Sequence, residues 1–385
     1  MKVVVIALVT GILITSVGCR RHRAVPTPTA ATSPRKDINV VLVLDRSGSL
    51  QASGSCKPLI EAATSFVNHF TPDRDKVGLV TFATSTYVNF PISSAFQTAN
   101  PNIATVLAHV TCAGSTSSAQ ALWTGYQQII GLDQPNAVNI ILFFTDGEPT
   151  GVTFDMPVAN SSPCTEYTPG SPTGPGGYAM PPTGKGYIRG VYNTFSNASQ
   201  WYGPLNPMGI AGPDGLQIVA RAALQPAPKS NGCDYFRGWS GVVNNSTVTT
   251  DFLGVPTKDI YGNSAATAYH PVTLNSYGFI DLANANNAQA MAMNAADSAA
   301  TNIRNGAVDP VSRRSIQNVI IYSVGLGGAA YPASSEFLTR VSNDPNSPVY
   351  DSSKPSGRYL HAASMADLES MFNSVAEWIF RLARL

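Results

Sequence analysis

The stretch "NVVLVLDRSGSL", residues 39–50, decides the fold. Five apolar residues, Val40 to Leu44, run without interruption, as in a strand buried on both faces. The chain then turns polar at once, with Asp45, Arg46, Ser47, Gly48 and Ser49. A strand with no polar face belongs in the middle of a parallel sheet covered by helices. A carboxylate and two hydroxyls at alternate positions just past its end therefore stand where such sheets bind ligands.

Three further runs of the same kind lie at 77–83 ("VGLVTFA"), 138–145 ("VNIILFFT") and 318–325 ("NVIIYSVG"). "TYVNF" at 86–90 follows the second after too few residues for a crossover helix, so it is predicted to fold back antiparallel. Helical spacing appears between the runs. One set is Leu59, Ala62, Ala63, Phe66, Val67 and Phe70, with Pro58 suited to a first turn. Ala119, Leu122, Trp123, Tyr126, Ile129 and Ile130 form a second. Phe337, Leu338 and Val341 mark a short helix, and Leu368, Phe372, Val375, Ile379 and Leu382 a long C-terminal one. Strands alternating with helices predict a doubly wound α/β domain, with a mostly parallel central sheet and helices on both faces.

Residues from about 150 to 280 break the alternation. They are dense in Gly, Pro, Ser, Asn and Tyr and read as a long irregular insertion after the third parallel strand. Its aromatic residues Tyr167, Tyr178, Tyr187, Trp201 and Trp239 could form a binding surface but suit a small local core. An Ala-rich stretch from Asp281 to Arg304 then predicts a helix returning to the sheet, stopped at Asn305-Gly306.

The N-terminus places this domain behind a leader. Lys2 precedes an apolar run from Val3 to Val17, short for a membrane span and suited to a signal peptide over residues 1–19. Gly18-Cys19 ends it as in a lipoprotein signal, which makes Cys19 a candidate for lipidation, although Ser16 stands where such signals usually carry Leu. Arg20, Arg21 and Arg23 oppose export of the chain beyond them, so an uncleaved anchor stays open beside the signal peptide. Residues 20–37, rich in Pro and Thr, read as an extended tether to a domain spanning 38–385. Net charge is only +1, with no basic stripe beyond residues 20–23, which argues against nucleic acid as a partner.

Besides Cys19 there are four cysteines, Cys56, Cys112, Cys164 and Cys233, none in a CxxC pair. With an export signal, an even count points to two disulfides rather than zinc or buried thiols. Cys164 and Cys233 both lie in the insertion, which a bridge between them would staple.

The residues beyond the strand ends offer oxygen and neither imidazole nor thiolate. Asp45, Ser47 and Ser49 follow the first run, "FFTDGEP" supplies Asp146 after the third parallel run, and Ser115, Thr116 and Ser117 precede a helix. Hard cations such as Mg²⁺ take oxygen ligands. Ser47 and Ser49, two apart in an extended turn, can face the same side, and the two carboxylates add negative charge directly or through water.

This set resembles the metal-ion-dependent adhesion site (MIDAS) of von Willebrand factor A (VWA) domains: Asp45-x-Ser47-x-Ser49, then Thr116, then Thr145-Asp146-Gly147. The resemblance runs over about 38–149 and resumes near 318. It implies a metal site of Asp45, Ser47, Ser49, Thr116 and Asp146 holding Mg²⁺ (or Mn²⁺/Ca²⁺), with a position open to an acidic side chain of a protein partner. "RDKVGLVTF", cysteines before and after it, and "FLTRVSNDP" also resemble VWA proteins of bacterial Tad/Flp-type pilus assembly. That likeness implies a Cys56–Cys112 bridge and an exported, membrane-anchored protein of the cell envelope, periplasmic or at the surface, in pilus assembly or adhesion. The alternative is a structural envelope or pilus scaffold with a vestigial metal site.

Catalysis has little in its favour. HExxH, GxSxG and Walker A sequences are absent. "GPGGYAMPPTGKG" at 174–186 has Gly186 after Lys185 instead of Ser or Thr. Five histidines are scattered, with His69 and His109 on predicted helices, and Glu148 is the nearest candidate base to Asp146 in sequence. The expectation is a binding protein, not an enzyme.

Overall fold

A computed structural model describes residues 35–157, 187–193, 200–202, 237–243, 246–250, 255–274, 278–280, 285–327 and 334–385. Its central sheet has six strands in the order β11-β10-β4-β1-β2-β3. These are β1 (Ile38–Asp45), β2 (Lys76–Phe82), β3 (Thr86–Ser93), β4 (Val138–Thr145), β10 (Val319–Leu326) and β11 (Tyr359–Ala362). β1 pairs in parallel with β2 on one side and β4 on the other, and β4 with β10. β3 runs antiparallel to β2, as its short connection requires. The four apolar runs and the reversed edge strand are thus where the sequence predicted them.

Because side chains alternate across a strand, each run feeds two cores. Val41, Val43, Val80, Phe82, Ile141, Phe143 and Ile321 face one layer, packed on α4 (Ser118–Leu132), α5 (Ala285–Arg304) and α6 (Ser335–Ser342). Val40, Leu42, Leu44, Leu79, Ile140, Leu142, Phe144 and Val324 face the other. There they meet α2 (Cys56–Val67), α3 (Ile103–Ala108) and α7 (Met365–Ala383), where Phe66 and Phe372 meet edge to face at 5.8 Å. A Cβ on Gly125 would sit 2.7 Å from Val43 Cγ2, so α4 lies on β1 closer than any side chain there permits.

Local chemistry sets the helix ends. Asp133 and Asn343 take positive φ where α4 and α6 stop, at 53° and 51°. Gly306, at φ 66°, stops α5 as predicted. Ser364 and Asp367 form a capping box at the start of α7, the Ser364 amide donating to Asp367 Oδ2 at 2.9 Å. α3, the short α1 (Gly48–Ala52) and β11 gave no clear sequence signal, being only 6, 5 and 4 residues long.

The insertion departs from the irregular expectation. It holds β5 (Gly151–Pro157), β6 (Tyr187–Asn193) and β7 (Gln200–Tyr202) in one antiparallel sheet, and β8 (Arg237–Val243) with β9 (Ser246–Thr250) in another. Val152, Phe154, Val255, Ala265 and Ile280 are buried in the same core as α4 and α5, and Trp123 stacks on Tyr261 at 5.6 Å. Apolar residues spread singly among Gly and Asn carry no period, yet tertiary contacts bury them. Residues 1–34 lie outside the described residues, as do Cys164 and Cys233 and the side chains of Tyr167, Tyr178, Tyr187, Trp201 and Trp239. Among the described residues, no helix is long and apolar enough to cross a membrane.

Candidate metal centre

β1 and β4 are neighbours, so Asp45 and Asp146 come from adjacent strand ends. Asp45 is fully buried and both its oxygens are engaged. Oδ1 accepts the Ser47 amide at 2.7 Å and Oδ2 accepts the Thr145 hydroxyl at 2.6 Å. Ser47 lies immediately before α1, and its hydroxyl is 2.9 Å from that of Ser49. Asp146 Oδ1 accepts Ser49 Oγ at 2.8 Å and Ser47 Oγ at 3.4 Å. The second oxygen, Asp146 Oδ2, is buried and has no hydrogen-bond partner among the described residues; the whole residue is only 1% exposed.

Thr116 lies on a third segment, in a loop tied to the Ser47 turn. The Gly48 amide donates to the Gly114 carbonyl at 2.9 Å and the Ala113 amide to the Arg46 carbonyl at 2.7 Å, tying the Thr116 loop to the Ser47 turn. Gly114 has φ 97°, and a Cβ there would lie 2.8 Å from Thr84 Oγ1, so this junction needs glycine. The Thr116 carbonyl accepts the amides of Thr150 and Gly151 at 2.9 and 3.1 Å, and its amide donates to Thr150 Oγ1 at 3.0 Å. The root of the insertion is therefore bonded to Thr116. Cys56, at the start of α2, bridges Cys112 on the same loop, with Cα atoms 6.0 Å apart.

The electrostatics are those of an anionic pocket short of positive charge. Burial, and then the nearby charge of Asp146, push the Asp45 carboxyl up to about 7. Burial raises Asp146 as well, against the hydroxyls that stabilise its charged form. A bare buried carboxylate oxygen is costly unless something pairs with it. The donors that converge here are carboxylates and hydroxyls, all oxygen, and they fit a hard divalent cation.

Other residues fall in plainer roles. The Arg46 guanidinium lies over the Tyr87 ring, 4.6 Å from the centroid. Glu148 accepts a hydrogen bond from Gln289. His69 and His109 are exposed just past α2 and α3, the first hydrogen-bonded to Asn373 and the second to the Thr105 carbonyl. Two contributors escaped the sequence reading: Thr145 as the hydroxyl that holds Asp45, and Thr150 as the clamp on Thr116. A threonine immediately before a strand-end aspartate was the available signal for the first; nothing local marks the second.

The architecture defines an open, doubly wound α/β domain with an oxygen cluster at its strand ends. Residues 39–163 match the family model of the von Willebrand factor type A domain. The calcium-activated chloride channel regulator 3A-1 of Mus musculus is 30% identical over 138 residues, a match spanning 34% of this chain and 15% of that protein. Among solved structures, the vWF domain of the type V pili tip protein Mfa5 from Porphyromonas gingivalis is similar at 12% identity and a TM-score of 0.45, over 90% of this chain and 96% of that one. The PilB minor pilin from Streptococcus sanguinis is similar at 13% identity and a TM-score of 0.45, over 91% and 62% of the two chains.

Proposed function

We propose that this chain is an adhesive protein of the cell envelope that binds a divalent cation at the end of its sheet and, through it, an acidic side chain of a protein partner. The observation that carries this reading is the buried, unpartnered Asp146 Oδ2 beside the Ser47 and Ser49 hydroxyls. Ser47, Ser49 and Thr116 would offer neutral oxygens, Asp146 its bare carboxylate oxygen, and Asp45 a charge held behind Thr145 and the Ser47 amide. A bound Mg²⁺ or Mn²⁺ would supply uncompensated positive charge that attracts a partner's carboxylate. The chain's own residues do the rest. Thr145 orients Asp45, and Thr150 holds the Thr116 loop in place.

An N-terminal signal or anchor and a Pro/Thr-rich tether support location at the envelope, and the Cys56–Cys112 bridge suits an oxidising compartment. The likeness of "LDRSGSL" and "FLTRVSNDP" to pilus-assembly VWA proteins favours a pilus or surface setting. The test is thermal unfolding with increasing Mg²⁺ or Mn²⁺, for wild type and Asp146→Ala. Wild type is expected to gain about 3 kcal/mol at a hundredfold excess over the dissociation constant. A wild type indifferent to both ions would overturn the reading.

A further inference from the structure

The end of the domain opposite the cation site carries an unusual surface. Among the described residues, six large apolar side chains are exposed, and four of them sit on two loops: Val308 (57%), Val311 (68%), Val349 (50%) and Tyr350 (39%). The first loop joins α5 to the start of β10, and so lies at the N-terminal edge of the parallel sheet. The site lies at the C-terminal edge, about 26 Å away along an eight-residue strand. The second loop joins α6 to β11. Arg304, the last residue of α5, donates to the Val341 carbonyl at 2.5 Å near the end of α6 and lies within electrostatic range of Asp351, so the two loops are neighbours.

These loops are held rigidly. Asp309, fully buried, accepts from Trp123 Nε1 and Gln127 Nε2 at 2.8 Å each and from the Ser312 amide at 2.6 Å. In the second, Asn343 binds the carbonyls of Asp351 and Pro355. The valines are thus displayed on fixed backbone and kept out of the core that lies beneath them.

The charge beside them is positive. Arg313 and Arg314 are exposed, and Arg358 is exposed but lies 3.9 Å from Asp344; Asp309 and Asp344 are buried and hydrogen-bonded, which leaves Asp351 as the exposed acid of the two loops. The chain also enters at this edge. The Lys36 amide donates to the Ala383 carbonyl, and Arg35 grips buried Asp75 at 2.9 Å immediately before β1. Only residues 18–34 separate that point from the apolar run ending at Val17, and Arg20, Arg21 and Arg23 lie in that interval. A chain interval of that length reaches at most about 60 Å.

We infer that the loops 305–318 and 343–358 dock on an anionic phospholipid surface, with the apolar side chains entering the headgroup region and the arginines pairing with lipid phosphates. A single acyl chain holds a membrane weakly, and a basic patch supplies a second attachment. The docked pose turns the cation site away from the bilayer, toward a partner. This inference rests on the N-terminal attachment in the proposed function.

The test is hydrogen exchange of the full chain reconstituted in nanodiscs, comparing phosphatidylcholine alone with a phosphatidylglycerol mixture. Backbone amides in 305–318 and 343–358 are expected to exchange about tenfold more slowly in the anionic discs. Residues 47–53 should be unchanged, and both salt and Arg313→Glu/Arg314→Glu should abolish the difference. A chain that stays with the discs while these loops exchange equally in both lipids would overturn the docking and leave the attachment standing. A chain that does not associate with discs would overturn both. Protection of the same loops in lipid-free protein as its concentration rises would make a second copy the occupant and also overturn the inference.

Discussion

Replacing Asp309 tests how the α5–β10 loop is held. Its carboxylate is fully buried and accepts three hydrogen bonds, from Trp123 Nε1, Gln127 Nε2 and the Ser312 amide. The Ser312 amide and the side chains of Trp123 and Gln127 hold the carboxyl below its ordinary range despite burial. Asp309→Ala strands all three donors at once. Trp123 is 1% exposed, so water cannot readily reach its stranded N–H, and a buried donor left unpaired costs about 1–3 kcal/mol. Hydrogen bonds to a charged group contribute about 1.5–3 kcal/mol each, but the three share one carboxylate and do not add. The expected loss is about 3–4 kcal/mol, read as a lower denaturation midpoint at pH 7 with an unchanged slope. The pH dependence has a definite sign. A depressed carboxyl stabilises the native state above its unfolded value near 3.8, and that contribution is lost as pH falls through the lower folded value. The gap between wild type and variant should therefore narrow below about pH 4. A loss under about 0.5 kcal/mol, the range of an ordinary surface change, would refute the reasoning, as would a gap that stays constant into acid.

Three further perturbations have predicted outcomes. The Cys56–Cys112 bridge spans a sequence separation of 56, for which loop-closure entropy gives about 4 kcal/mol. The double Ser variant should lose most of that in chemical denaturation and bind Mn²⁺ more weakly by calorimetry, because the loop carrying Thr116 is released. Thr145→Val removes the hydroxyl that donates to Asp45 Oδ2 at 2.6 Å; a cost of about 1–3 kcal/mol is expected in urea titration, with Thr145→Ser restoring most of it. Arg340→Ala should cost about 3–5 kcal/mol by the same measure, since Arg340 meets Asp297 through two bonds of 2.9 and 2.7 Å and stacks 3.8 Å from the Tyr269 ring centre. A loss no larger than a surface change would mean solvent already satisfies Asp297.

The parallel strands, the reversed edge strand and the principal helices were legible because each is a continuous apolar run or a regular stripe, and burial on two faces requires such a pattern whatever the neighbours. Asp45, Ser47, Ser49, Thr116 and Asp146 were legible as oxygen donors because chain position places them past strand ends. Three things were decided only by folding. The strand order sets β4 beside β1, and so sets Asp146 against the Ser47 and Ser49 hydroxyls. Burial leaves Asp146 Oδ2 without a partner among the described residues, while Thr145 satisfies Asp45. The insertion, unpatterned in sequence, lays Phe154, Val255 and Ile280 into the main core and bonds its root to Thr116. Periodicity reports the environment of one segment at a time. Which segments meet, and which polar atom is left unpaired, depends on contacts between residues about a hundred positions apart, and local pattern carries no record of them.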